Sequence, residues 1–219
     1  MARIIAITNQ KGGVGKTTTA INLSACLAEA GQHVLLVDFD PQGNASSGLG
    51  LEREDIENTV YDLLTEEVTF EECRIAEIQK NLDILPSDMN LAGAEIEFQE
   101  IEDKEKLLRS YLEKIKDDYD FILIDCPPSL NILTINALTA ADTGLVPIQC
   151  EYYALEGLGQ VLKTVDLVKR KLNPGLELEG VVFTMYDART NLSLEVVENV
   201  KSNLNRTIYK TIIPRNVRL

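Results

Sequence analysis

The chain contains no tryptophan, one histidine and four cysteines with no CxxC pairing among its 219 residues. Cys26, Cys73, Cys126 and Cys150 are scattered, which argues against a zinc site or a disulfide framework, and they read as buried reduced thiols. His33 sits in the polar turn AGQH and reads as a solvated turn residue rather than a catalyst. No apolar run approaches the ~20 residues that a membrane span requires. The N-terminus, MARIIAITNQ, passes directly into the first motif and leaves no room for a cleaved signal, so a cytoplasmic location is expected. Repeats, low-complexity tracts and Gly/Ser linkers are also missing. With 45% hydrophobic and 26% charged residues, the chain reads as one soluble globular domain spanning 1–219.

The formal charge of −14 seems hostile to nucleic acid until it is located. Residues 51–120 carry 22 acids and 8 bases, which accounts for all of it. From Met185 to the end there are 6 bases against 3 acids. Because salt screens potential over ~10 Å, the acidic middle does not exclude a basic patch near the C-terminus.

Apolar, β-rich runs alternate with segments of helical period. RIIAIT, HVLLVD, LDILP, FILID, TGLVPIQ, LEGVVFTM and TIYKTII read as strands. Helices are expected from TTTAINLSACLAEAG and over about 89–98, 104–116, 131–141, 154–172 and 193–204; the stretch between HVLLVD and LDILP reads as polar and acidic. Continuous apolar strands separated by helices predict an α/β, doubly wound, mostly parallel sheet with helices on both faces.

Between RIIAIT and its helix lies QKGGVGKTTT. Gly12, Gly13 and Gly15, with Val14 among them, let the backbone turn sharply so that successive N–H groups can cradle an anion. Lys16 would reach the β- and γ-phosphates, the Thr17 hydroxyl would coordinate Mg²⁺, and Thr18 would bond the α-phosphate. The helix dipole adds a favourable field at the same point. The pattern GxxxxGK[ST] asks for glycine where this chain has Gln10, and an extra lysine, Lys11, stands at the loop entrance. Asp125, ending FILID, fits a Walker B acid that holds Mg²⁺ through water. Asp38 and Asp40 close HVLLVDFD at another strand end, where ligands of open α/β sheets bind.

The form KGGVGKTT resembles the deviant Walker A family, which includes the partition ATPases (ParA/Soj), the septum-site protein MinD and the nitrogenase iron protein. DFDPQGNASSGLG, DCPPSLNILTINAL, VPIQCEYYALEGL, TMYDART and IPRNVRL are similar to the ParA/Soj branch, in the same order along the whole chain. The resemblance implies an ATPase using ATP and Mg²⁺. It implies that Lys11 reaches across a face-to-face homodimer to the nucleotide of the other subunit, as an arginine finger would. It further implies that Asp40 positions the attacking water, that Asp38 supports the Mg²⁺ shell, and that Pro214 and Asn216 line the adenine pocket. The ATP-bound dimer would bind DNA without sequence preference, with Arg189 and Arg218 as candidate phosphate contacts. A ParB-like activator would stimulate hydrolysis, and the chain would associate with the nucleoid, with no membrane contact expected from the residues present. Taken in isolation, Lys11 also reads as a solvated loop lysine, a reading that fits poorly with the motif around it, and each arginine reads equally as a solvated charge.

Two other readings use the same loop. One is a MinD-like regulator of the division site, which needs a basic amphipathic helix for the membrane. The other is a metabolic ligase resembling dethiobiotin synthetase, which gains nothing from a lysine acting in trans. The family continues beyond NVRL with a loop and a terminal helix, so a C-terminally truncated chain is expected. Cys126, beside Asp125, carries no redox expectation, since a lone thiol cannot hold a cluster.

Overall fold

A computed structural model describes residues 1–65, 67–98, 101–152, 154–204 and 206–216, the side chain of Glu95 excepted. Among these residues eight strands form one sheet: β1 (Arg3–Ile7), β2 (Val34–Asp38), β3 (Ile75–Gln79), β4 (Leu82–Leu85), β5 (Phe121–Asp125), β6 (Thr143–Gln149), β7 (Glu177–Tyr186) and β8 (Ile208–Pro214). Their spatial order is β3-β4-β2-β5-β1-β6-β7-β8. Every pairing is parallel except β3 with β4. From β1 the chain goes to β2 and on to β3 and β4 at one edge, returns to place β5 between β2 and β1, and then continues on the other side of β1 through β6, β7 and β8. β1 thus lies beside the switch point where open α/β sheets bind ligands.

Alternate residues of the central strands enter two separate cores, as a period of two requires. Ile4, Ala6, Leu35, Val37, Ile122 and Ile124 face one core. The helices packed there include α6 (Leu107–Ile115), α7 (Ile132–Ala140), α8 (Ala154–Lys171) and α9 (Asn191–Asn203). Ile5, Ile7, Val34, Leu36 and Leu123 face the other, against α1 (Lys16–Glu29) and α2 (Asn44–Gly48). Central strand β2 is buried at all five positions, which explains its unbroken VLLVD.

Three features differ from the sequence expectation. The acidic stretch folds into α2, α3 (Val60–Leu64), α4 (Phe70–Cys73) and the edge strand β3. β3, IAEIQ, is only partly buried, so it lacks the apolar continuity of its neighbours; its turn to β4 uses Asn81 at φ 64, which asparagine tolerates. The two middle helices both begin as 3-10 turns: Met89–Gly93 leads into α5 (Ala94–Glu97), and Lys104–Lys106 into α6. Cys26 is exposed on α1, whereas Cys73, Cys126 and Cys150 are buried free thiols.

Candidate nucleotide site

The loop after β1 is tied down from three sides before its helix begins. Asn9 donates to the Pro147 carbonyl at 2.8 Å and accepts from the Lys11 N–H at 3.0 Å. Gln10, where a glycine is usual, donates to the Thr164 hydroxyl of α8 at 3.1 Å and so anchors the loop entrance. Thr184 of β7 donates to the Val14 carbonyl at 2.8 Å. Gly15 then caps α1 at φ 86, in the left-handed region that a side chain disfavours. No side chain caps this helix and no acid sits in its first turn. Its N-terminus is thereby left to an anion. Gly12, Gly13 and Thr18 are exposed beside it, with Thr17 partly buried.

Lys16 is only 6% exposed. Its ammonium donates to the Lys11 carbonyl at 3.1 Å, folded back on the loop it serves. Burial lowers its pKa, with Asp125 and Asp40 among the groups that oppose the shift. Asp38 and Asp125 are register partners at the ends of β2 and β5, both fully buried. Their surroundings differ. Asp38 accepts from the Ser46 N–H at 2.8 Å and the Ser46 hydroxyl at 2.7 Å, yet burial still raises its pKa to about 6. Among the described residues, neither oxygen of Asp125 meets full hydrogen-bond geometry with a donor. Burial raises its pKa to about 7, which Thr17 and Lys16 only partly offset. An orphaned buried carboxylate beside a phosphate loop has the chemistry of a Mg²⁺ site, so the residues present fit that ion. Asp40 is buried as well, and its carboxylate accepts from the Gln42 N–H at 3.0 Å.

Lys11 stands apart from this buried group. Its ammonium pairs with Glu151, just before α8, at 2.5 Å, and both side chains are partly exposed. Pro214 and Asn216 line a cavity of about 790 Å³ together with Gly15, Thr18 and Met185. The Arg215 N–H, donating to the Tyr186 carbonyl at 3.0 Å, holds that segment to β7. Arg189 lies outside the cluster, in the loop before α9, where its guanidinium grips Asp187 at 2.9 and 2.7 Å. That contact holds Asp187 well below the usual carboxylate range. Arg218 lies outside the described residues. Sequence reasoning missed Glu151, Thr184 and Ser46, because each acts through a contact rather than a motif; EYYALEGL and DPQGNAS contained two of them as unexplained letters.

No helix among the described residues is long and apolar enough to cross a membrane. The AAA domain family profile matches residues 2–178. The chain is 58% identical to the sporulation initiation inhibitor protein Soj of Bacillus subtilis over 100% of its length and 87% of that protein's. It is 51% identical to the chromosome partitioning protein ParA of Myxococcus xanthus, covering 100% of this chain and 77% of that one. Against the chromosome-partitioning ATPase Soj of Treponema pallidum it is 52% identical over 100% and 85%. Two crystal structures share the fold and part of the sequence. One, described as cobyrinic acid a,c-diamide synthase from Mycobacterium smegmatis with bound ADP and magnesium, has a TM-score of 0.93 at 40% identity and covers 99% of this chain and 88% of that one. The other, a plasmid partition protein from Borrelia burgdorferi bound to AMPPNP, has a TM-score of 0.84 at 29% identity and covers 100% and 87%. A Gly-capped phosphate loop, a buried lysine and an orphaned strand-end aspartate, on a chain this similar to Soj and ParA proteins, place it in the ParA/Soj family of chromosome-partitioning P-loop ATPases.

Proposed function

We propose that this chain is an ATP-driven switch for DNA segregation: MgATP binding closes a face-to-face homodimer, the dimer binds DNA without sequence preference, and hydrolysis stimulated by a ParB-like partner releases it. The observation that carries the reading is Lys11. It adds a cation to a loop whose phosphate lysine is already Lys16, and its side chain points to the partly exposed Glu151 rather than into the buried cluster. A cation placed so is available to a second subunit once Glu151 lets it go. Two such lysines would screen the phosphates that face each other across the interface.

Within one subunit the proposed roles draw on the loop motif and on the buried acids beside it. Lys16 and the loop from Gly12 to Thr18 bind the phosphates, and Pro214 and Asn216 wall the base. Thr17 and Asp125 would hold Mg²⁺, with Asp38 behind them; the ion, when bound, neutralises charge that develops between the phosphates. Asp40 orients the attacking water. Arg189, with Arg218, contacts DNA phosphates, an arrangement that dimerisation doubles.

The likeness to the Mycobacterium smegmatis structure favours, as second reading, a ligase acting on a small molecule. ATP-dependent co-sedimentation with random-sequence DNA, and in parallel with anionic vesicles, separates the possibilities. The switch predicts DNA in the pellet with ATP only and no vesicle binding. Absence of DNA binding, together with an ATP-bound chain that stays monomeric, would favour the ligase.

A further inference from the structure

Asp40 sits on a short segment held by backbone contacts to Asp38 and Asp40 and by one buried hydroxyl. After Asp40 the chain turns back on itself, the Gly43 N–H donating to the Asp40 carbonyl at 2.9 Å, and enters α2. Gly43 is the N-cap residue at φ 62 and offers no side chain to the helix. The missing cap comes instead from the neighbouring strand, where Asp38 Oδ2 accepts the N–H of Ser46, the third residue of α2. The Ser46 hydroxyl donates to the same oxygen at 2.7 Å and accepts from the Ser87 N–H, beyond β4, at 3.2 Å. Ser46 is 2% exposed, so these contacts are shielded from water. Gly43 presses on the same place, since a Cβ there would lie 2.8 Å from the Ser87 carbonyl oxygen. The segment from Asp40 to Ser46 is thus clamped between the end of β2 and the end of β4.

We propose that Ser46 is a positioning residue for hydrolysis: its hydroxyl, shared between Asp38 and the Ser87 amide, fixes the loop that aims the Asp40 carboxylate. The inference rests on the reading that Asp40 orients the attacking water. A carboxylate that must hold a water in line tolerates little drift, and a displacement of about 1 Å is enough to cost on the order of a hundredfold in rate. ATP binding does not depend on that aim, because its contacts come from the phosphate loop.

The test compares Ser46→Ala, Asp40→Ala and the double variant, with ATP affinity by calorimetry, turnover at saturating ATP and single-turnover rates for the slow proteins. Ser46→Ala should lower kcat about tenfold or more while ATP affinity stays within about twofold of the parent. In the Asp40→Ala background the same change should have no further effect, since the group it aims is gone. Ser46→Cys, which keeps a polar group of similar shape, somewhat larger, and weakens the hydrogen bonds, should fall between and serves if the alanine variant does not fold. Unchanged kcat in both Ser46 variants, or an ATP affinity that falls in step with kcat, would overturn the proposal. So would a full additional loss in the double variant. Normal turnover by Asp40→Ala beside slow turnover by Ser46→Ala would overturn it too, and would place the failure in the Asp40 reading.

Discussion

Lys16 and Lys11 lie five residues apart on one loop, yet the first is 6% exposed among buried carboxylates and the second is partly exposed and paired with Glu151. The same division runs through the whole site. On its floor, Lys16, Asp38 and Asp125 are taken out of water, and burial shifts each of them against its charged form. On its rim, Lys11 with Glu151 and Arg189 with Asp187 are ion pairs open to solvent. Buried charges without full partners are costly and are relieved by a ligand. Exposed pairs contribute little to stability and exchange partners readily. The floor holds charges that a bound ligand would satisfy; the rim holds pairs that water already reaches.

Changes on the floor should therefore act on the isolated subunit. The largest effect is expected from Lys16→Ala. It removes the buried cation proposed to face the phosphates, and charge-assisted bonds of this kind are the strong ones. ATP affinity measured by calorimetry should fall at least ~100-fold, and an undiminished affinity would mean that the loop is not the phosphate site.

Asp125→Asn sharpens the contrast because it should stabilise the protein while impairing it. Burial raises the folded-state pKa of Asp125 from 3.8 to about 7. Between those values the folded chain holds a proton that the unfolded chain has lost, so its stability falls as pH rises through the window. The amide removes that dependence. Without nucleotide, the variant should be more stable than the parent at about pH 8, by on the order of 1–3 kcal/mol after allowing for its own unmet hydrogen bonds, with the gap closing toward about pH 4. Thermal melts across pH measure this, and Mg²⁺-dependent ATPase activity should drop in the same variant. Equal stability at about pH 8 would mean that the carboxylate is not destabilised by its burial.

Changes on the rim should spare the subunit. Arg189→Glu should leave ATP affinity unchanged, weaken DNA binding several-fold, and flatten the salt dependence by about one unit of slope for each DNA phosphate that is no longer neutralised. Asp187→Asn, which frees the guanidinium from its present partner, should do the reverse with a smaller amplitude, because an exposed pair is easily broken. Fluorescence titration of random-sequence DNA at several salt concentrations gives both numbers. An unchanged slope in Arg189→Glu would place the DNA patch elsewhere.

Much of this floor was legible in the sequence because its chemistry is local. KGGVGKTT is a turn, a cradle and a helix start in eight consecutive letters, and FILID announces both a buried strand and the acid at its end. The doubly wound parallel sheet followed from unbroken apolar runs such as VLLVD. β3 was not legible, since an edge strand exposes half its residues and IAEIQ carries no burial pattern. The contacts that hold the site were not legible either. Glu151 meets Lys11 from 140 residues away, Thr184 reaches Val14 from 170, and the Ser46 hydroxyl matters only because Asp38 and Ser87 converge on it. The different fates of Asp38 and Asp125, identical letters at equivalent strand ends, depend on what the fold brings beside each.

Lys11→Ala tests the central claim most directly, by sedimentation of the 24.3 kDa chain with and without MgATP, alongside calorimetric ATP affinity. If Lys11 acts across a dimer interface, the variant binds ATP as the parent does, because Lys16, Thr17 and the loop amides are intact, but it stays at monomer mass where the parent doubles. A variant that dimerises with ATP like the parent would make Lys11 an ordinary loop lysine. One that loses ATP affinity as Lys16→Ala does would place it in its own subunit's site.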